Sequence, residues 1–239
     1  SQGNRGFRGH SALGRHKLSA MNSSLAILTI GQTPRNDILP ELTRWLPDTI
    51  QVQELGALDG ESGEEIERLL PEASDHRLVT RLGDGRQAVV RKSWIARRLQ
   101  DMLDGIDPED YLAVVLLCTG EFSDLHFDGL FLDAQHLVDH GTDAICAGAH
   151  RIGVLLPLIE QSQEFHYNTR PDQELRFAAA SPYEGDEFPA AAQALSDCDV
   201  IVMHCMGYTE AQRTSLVALT GKPVLLARRL VGAGIAQII

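Results

Sequence analysis

Two cysteines stand in matching contexts: Cys118 follows the apolar run VVLL and precedes Thr119-Gly120, and Cys205 follows VIVMH and precedes Met206-Gly207. A thiolate facing a carbon next to a carboxylate can remove its proton while a thiol on the other face returns one, inverting the centre with no cofactor. Such a carbon acid is weak, so the site must stabilise the developing negative charge. Backbone N–H groups at helix N-termini after each cysteine suit that task and would also lower the thiol pKa. A lone free cysteine more often acts as a small hydrophobe. Cys146 and Cys198 adjoin no glycine turn after an apolar strand and take that reading, whereas the repeated Cys-x-Gly context gives Cys118 and Cys205 a functional role, either as opposing acid and base or in ligand contact.

Further side chains complete this proposed site. In Gly31-Gln32-Thr33-Pro34-Arg35 the Thr33 hydroxyl and Arg35 guanidinium can hold a carboxylate, the latter bidentately; read as structure alone, the segment is a turn with a capping Thr and a solvated Arg. Glu121 and His204 flank the cysteines as candidate bases. Thr119, Gly120, Gly207, Tyr208 and Thr209 supply backbone and hydroxyl contacts, with Thr209 equally suited to an N-cap. His126, His136, His140 and His150 form no metal-ligand spacing beyond the i,i+4 pair His136 and His140, which reads as a solvated helix face, so no metal is expected. Gly83 to Gly85 matches no phosphate-binding loop and GxSxG is absent, so nucleotide binding and serine hydrolysis find no support and no cofactor is expected.

These residues need strands and turns to position them. Leu25–Ile30 and Tyr111–Cys118 are continuous apolar runs, as expected of parallel strands covered on both faces, and Ile50–Leu55 alternates like a further strand. A helix is expected from Asn36 or Pro40 with Leu39, Leu42, Trp45 and Leu46 on one stripe, and a short acidic one over Gly63–Leu70. Gly83-Asp84-Gly85 between Leu78–Leu82 and Gln87–Arg91 predicts a hairpin. A helix capped by Ser93 then runs to Leu103. The second half repeats the plan: strands at Arg151–Leu156, Leu175–Ala180 and Asp199–His204, helices at Leu158–Gln163, Glu187–Leu195 and Thr209–Leu219, and a closing segment over Val224–Leu226 and Arg229–Ile239. The class is therefore α/β, two Rossmann-like lobes with mostly parallel sheets and a ligand cleft between them. The lobes are expected at residues 21–125 and 126–239, the last helix packing back on the first lobe.

Composition narrows the functions. The chain has 239 residues, 44% hydrophobic, with 21 Lys and Arg against 33 Asp and Glu. A formal charge of −12 repels phosphate backbones and anionic lipid, so neither nucleic acid nor membrane is an expected partner. Four scattered cysteines without a CxxC pair read as reduced thiols of a cytoplasmic protein. Residues 1–20 are basic and acid-free, and read as a vector-derived or disordered leader, or a transit peptide, outside the fold.

The segments LAILTIGQTPRNDILPEL, VVLLCTGEF, DVIVMHCMGYT and GKPVLLARRL, in this order over Leu25–Ile239, resemble AroM proteins. Those proteins look like distant members of the aspartate/glutamate racemase superfamily, in which two Rossmann-like lobes each offer one catalytic cysteine to a central cleft. The resemblance implies Cys118 and Cys205 in those positions. Superfamily racemases usually continue with Asn-Thr after the first cysteine and Thr or Asp-Pro after the second, whereas this chain has Thr119-Gly120 and Met206-Gly207, so the resemblance implies no particular substrate. The expectation is a cofactor-independent racemase or isomerase of a small carboxylate, an amino acid or derivative. The alternatives are a non-catalytic small-molecule sensor on the same fold, or a lyase or decarboxylase using one cysteine. A homodimer through the hairpin at residues 78–91 is compatible with each.

Overall fold

Leu25, Ala26, Ile27 and Leu28 are all essentially inaccessible to solvent, because helices cover both faces of the strand they form. The computed structural model describes residues 23–44, 46–163, 165, 167 and 169–239; the expected leader and Trp45 lie outside the described residues. Its first sheet joins β1 (Ser24–Thr29), β2 (Gln51–Gly56), β5 (Ala113–Leu116) and β6 (Phe131–Asp133) in the order β2-β1-β5-β6, every pairing parallel. The second joins β7 (Arg151–Leu156), β8 (Glu174–Ala179), β9 (Val200–Met203) and β10 (Val224–Leu226) in the order β10-β9-β7-β8, again all parallel. The protein is thus α/β with two parallel sheets, and Cys118 and Cys205 each follow a central strand by two residues.

Alternate residues of the first sheet feed two cores, as the pleat requires. Ala26, Leu28, Val114 and Leu116 pack against Ile95, Leu99 and Leu103 of α3 (Lys92–Asp104) and against Leu78 and Val90 of the antiparallel hairpin β3 (Arg77–Arg81) and β4 (Gln87–Arg91). Leu25, Ile27, Ala113 and Val115 face Leu42 of α1 (Leu39–Thr43), Val138 of α4 (Ala134–Ile145), and Val231 and Ile235 of α7 (Ala227–Ala236). Helix α7 follows β10 of the second sheet directly yet is buried against the first, so one apolar core ties the two sheets together. Helix α2 spans Gly63–Glu67, capped by Ser62 and Glu65; α5 spans Phe188–Ala194; and α6 spans Glu210–Thr220, capped by Thr209 and Gln212.

Three local expectations change. Leu158–Gln163 is a 3-10 turn over Ile159–Gln163 rather than a helix, following directly on Pro157. Ser93 lies inside α3, whose N-cap Arg91 makes no side-chain cap. Residues 131–145, expected only to include a helix face carrying His136 and His140, form β6 and α4, the latter capped by Asp133. His136 and His140 sit on the exposed side of α4, as the solvated-face reading expects. Among the described residues no helix is long and apolar enough to cross a membrane.

Candidate active site

Both cysteines sit where the chain turns sharply out of a central strand, and each sulfur accepts the N–H of the glycine two residues on. Gly120 N–H meets Cys118 Sγ and Gly207 N–H meets Cys205 Sγ, each at 3.3 Å. Neither place takes a side chain without displacing a neighbour: a Cβ on Gly120 would lie 2.8 Å from Leu78 Cδ2, and one on Gly207 would lie 2.6 Å from the Tyr183 hydroxyl oxygen. Both cysteines line one cavity of about 90 Å³, along with Thr119, Gly120, Glu121, Gly207, Arg35 and His204. A single water site needs roughly 10–15 Å³ and drug-sized pockets run to about 300–1,000 Å³, so this space suits a ligand of few heavy atoms.

The two thiols differ electrostatically. Burial pushes the Cys118 thiol up to about 12, the Gly120 N–H opposing and Cys205 adding to the rise. Burial also raises Cys205, but there the Gly207 N–H, Arg35 and Arg228 all favour the thiolate. The expectation that backbone donors would lower both thiols is therefore overridden by desolvation. The expected helix N-terminus after Cys118 is also absent: the chain from Thr119 to Leu130 contains no α-helix, and its donor belongs to a turn. Only Cys205 leads into a helix, α6.

Arg35 is buried rather than solvated. Its Nε and Nη2 donate to the two carboxylate oxygens of Asp37 at 2.9 Å each, Nη1 donates to Thr29 Oγ1 at 2.9 Å, and Nη2 also reaches Tyr183 at 3.1 Å. Burial disfavours the Asp37 carboxylate, but the Arg35 hydrogen bond and charge, with Arg228 and Arg81, hold its pKa below the ordinary value. Arg228, at the start of α7 and also buried, donates to Met206 O at 2.7 Å, Gly207 O at 2.9 Å and Asp37 O at 2.5 Å. It clamps the turn after Cys205 to the segment before α1. Nothing in the sequence separated Arg228 from its neighbour Arg229, because its role depends on contacts nearly two hundred residues away in the chain.

The remaining expected contacts divide. Thr119 lines the cavity and its Oγ1 donates to His204 O at 3.1 Å, linking the two cysteine turns. Thr33 is absent from the lining: its N–H and hydroxyl both engage Asp59, at 2.8 Å each. Tyr208 is wholly buried with its hydroxyl on Ala180 O at 2.7 Å, and Thr209 caps α6, so neither lines the cavity. His204 Nε2 meets Asp139 Oδ1 at 2.7 Å while Phe165 packs edge-on to its ring at 4.8 Å. Asp139 and Gln135 come from α4, the helix whose exposed face carries His136 and His140, and Thr80 and Lys92 come from the hairpin and α3. Among the described residues no group of three or more His, Cys, Asp or Glu could hold a metal ion.

The model of the AroM protein family matches residues 25–239. The chain belongs to the AroM family. Comparison of the AroM chain with curated proteins gives no significant sequence match. Among solved structures, glutamate racemase from Francisella tularensis in complex with D-glutamate is 10% identical with a TM-score of 0.57, covering 91% of this chain and 81% of that one. Aspartate racemase from Picrophilus torridus is 10% identical with a TM-score of 0.54, covering 90% and 93%. Maleate isomerase Iso from Pseudomonas putida is 15% identical with a TM-score of 0.50, covering 90% and 91%. At these identities the AroM chain shares the racemase-like fold with them.

Proposed function

We propose that this protein is a racemase or isomerase of a small carboxylate, with Cys118 and Cys205 as the acid–base pair. One observation carries the reading: two cysteines from two separate sheets line the same small cavity, each with a backbone N–H on its sulfur. The electrostatic difference supports an order of roles. Burial raises the Cys205 thiol, but the Gly207 N–H, Arg35 and Arg228 favour its ionised form, so Cys205 is the partner suited to take the α-proton. Cys118, whose thiol burial keeps neutral, gives its proton to the opposite face of the carbanion. After one turnover the substrate has inverted, Cys118 is the thiolate and Cys205 the thiol; the opposite conversion starts from that state. The N–H donors and the Arg35 charge stabilise the negative charge that builds up during proton removal.

Proteins of this fold include glutamate racemase, aspartate racemase and maleate isomerase, and the present cavity is of a size for small acids of that scale. The test is NMR in deuterated buffer with a panel of small amino, hydroxy and dicarboxylic acids. The proposal expects deuterium at the α-carbon together with formation of the other isomer. Binding of these acids with no exchange at any pH between 6 and 10 defeats it in favour of a non-catalytic sensor, and appearance of carbon dioxide or a cleaved fragment defeats it in favour of a lyase.

A further inference from the structure

Tyr208 spends its hydroxyl on Ala180 O, but another tyrosine, Tyr183, does line the cavity, and the acid–base pair gives it no part. Tyr183 stands in the loop between β8 and α5, which is fastened to the hairpin: Ser181 Oγ accepts the Tyr183 N–H at 3.0 Å and donates to Gln87 Oε1 at 2.6 Å. The partly buried ring ends between Arg35 and Gly207, two residues that line the cavity with it. Its hydroxyl oxygen accepts from Arg35 Nη2 at 3.1 Å and would lie 2.6 Å from a Cβ on Gly207. Arg35 thereby fixes the direction of the phenol proton. A guanidinium has donors and no acceptor, so the oxygen gives Arg35 a lone pair and the O–H points elsewhere. No acceptor for that O–H occurs among the described residues. Burial raises the Tyr183 pKa, and Cys205 adds to the rise while Arg35 opposes it, so the hydroxyl keeps its proton at neutral pH. Folded proteins seldom leave a shielded donor unmatched, and one on a cavity wall is matched by what enters the cavity.

We propose that Tyr183 is a further catalytic residue, donating its O–H to a carboxylate oxygen of the bound acid. The proton stays on the phenol. The hydrogen bond tightens as that oxygen gains charge while Cys205 removes the α-proton, and Arg35 strengthens the donor without leaving Asp37. The inference rests on the two-cysteine reading for where the reacting carbon lies, but carboxylate binding tests it separately. Isothermal titration of the full chain with propionate and succinate compares the parent with Tyr183→Phe. A hydrogen bond to a charged acceptor predicts roughly 10- to 100-fold weaker binding in the variant. Deuteration of the substrate's α-carbon should slow by about 10²–10³ in kcat/KM. Incorporating 3-fluorotyrosine at position 183 keeps the hydroxyl and should preserve binding. Its fluorine resonance should shift on saturation with either acid, which decides the matter if Tyr183→Phe does not fold. Alkylation of Cys205 distinguishes a donor from a brace: the Phe variant should follow the parent's pH curve, whereas a displaced curve with a matching loss of exchange makes Tyr183 a support for Arg35 and overturns the proposal. Equal affinity in the Phe variant, an unmoved fluorine resonance, or no binding of either acid by the parent overturns it too. Exchange separates the two claims: weaker binding by Tyr183→Phe with no deuteration by the parent leaves the donor standing and removes the racemase reading, whereas deuteration that Tyr183→Phe does not slow does the reverse.

Discussion

Replacing Arg228 by Met removes the clamp behind Cys205 while nearly conserving side-chain volume. Three backbone carbonyls, of Met206, Gly207 and Asp37, lose a buried charged donor, and Glu41 loses an ion partner at 3.2 Å. Hydrogen bonds to charged groups contribute about 1.5–3 kcal/mol each, but losses within one network do not add, and breaking a buried charged cluster costs about 3–5 kcal/mol. At about 2–4 °C per kcal/mol for a chain of this size, Arg228→Met should melt roughly 6–20 °C below the parent protein. The same change withdraws a positive charge that favours the Cys205 thiolate, so alkylation of Cys205 by iodoacetamide, followed by peptide mass, should need a higher pH. Arg228→Lys keeps a charge without the planar fork, and should recover thiol reactivity better than stability. A Met variant that melts within about 2 °C of the parent and alkylates along the same pH curve refutes the clamp.

Two other outcomes follow from the site. Cys118 has a folded-state pKa raised from 9.0 to about 12, so between those values the unfolded chain releases a proton that the native state retains. Its contribution is intact below about pH 9 and is lost as pH rises toward 12, so Cys118→Ala should flatten the alkaline limb of a melting-temperature profile by up to about 1.4 kcal/mol per pH unit; superimposable limbs contradict the burial of that thiol. Gly207→Ala drives a methyl into the Tyr183 hydroxyl and Pro182, displacing the turn that aims Cys205, so α-proton exchange should fall at least about tenfold with the protein still folded; unaltered exchange shows that the turn tolerates a side chain.

Much of this architecture is written in local pattern. Six-residue apolar runs such as LAILTI announce strands buried on both faces, Asp84-Gly85 between alternating segments announces the hairpin, and the repeated Cys-x-Gly marks the ends of the two central strands. What escaped local reading depends on distant partners. Strand β6 has three residues, too few for a period, and α4 carries His136 and His140 on its exposed side while its inward Val138 meets α7 from the far end of the chain. Thr33 and Tyr208 have hydroxyls as fit for a substrate as for the chain; only the fold shows Asp59 and Ala180 O already engaging them. Arg35 was expected to reach a carboxylate, and it does so within the protein, on Asp37, which changes its part from a mobile anchor to a fixed positive charge beside Cys205.

The paired roles of the two sulfurs are tested most directly by following the α-proton of each pure enantiomer in deuterated buffer with Cys118→Ala and Cys205→Ala, using the substrate the parent protein inverts. Each variant keeps one base, so each should wash deuterium into one enantiomer only, opposite hands for the two variants, with inversion abolished in both. Exchange of the same hand by both variants, or inversion surviving the loss of either sulfur, contradicts an acid–base pair acting from two walls of one cavity.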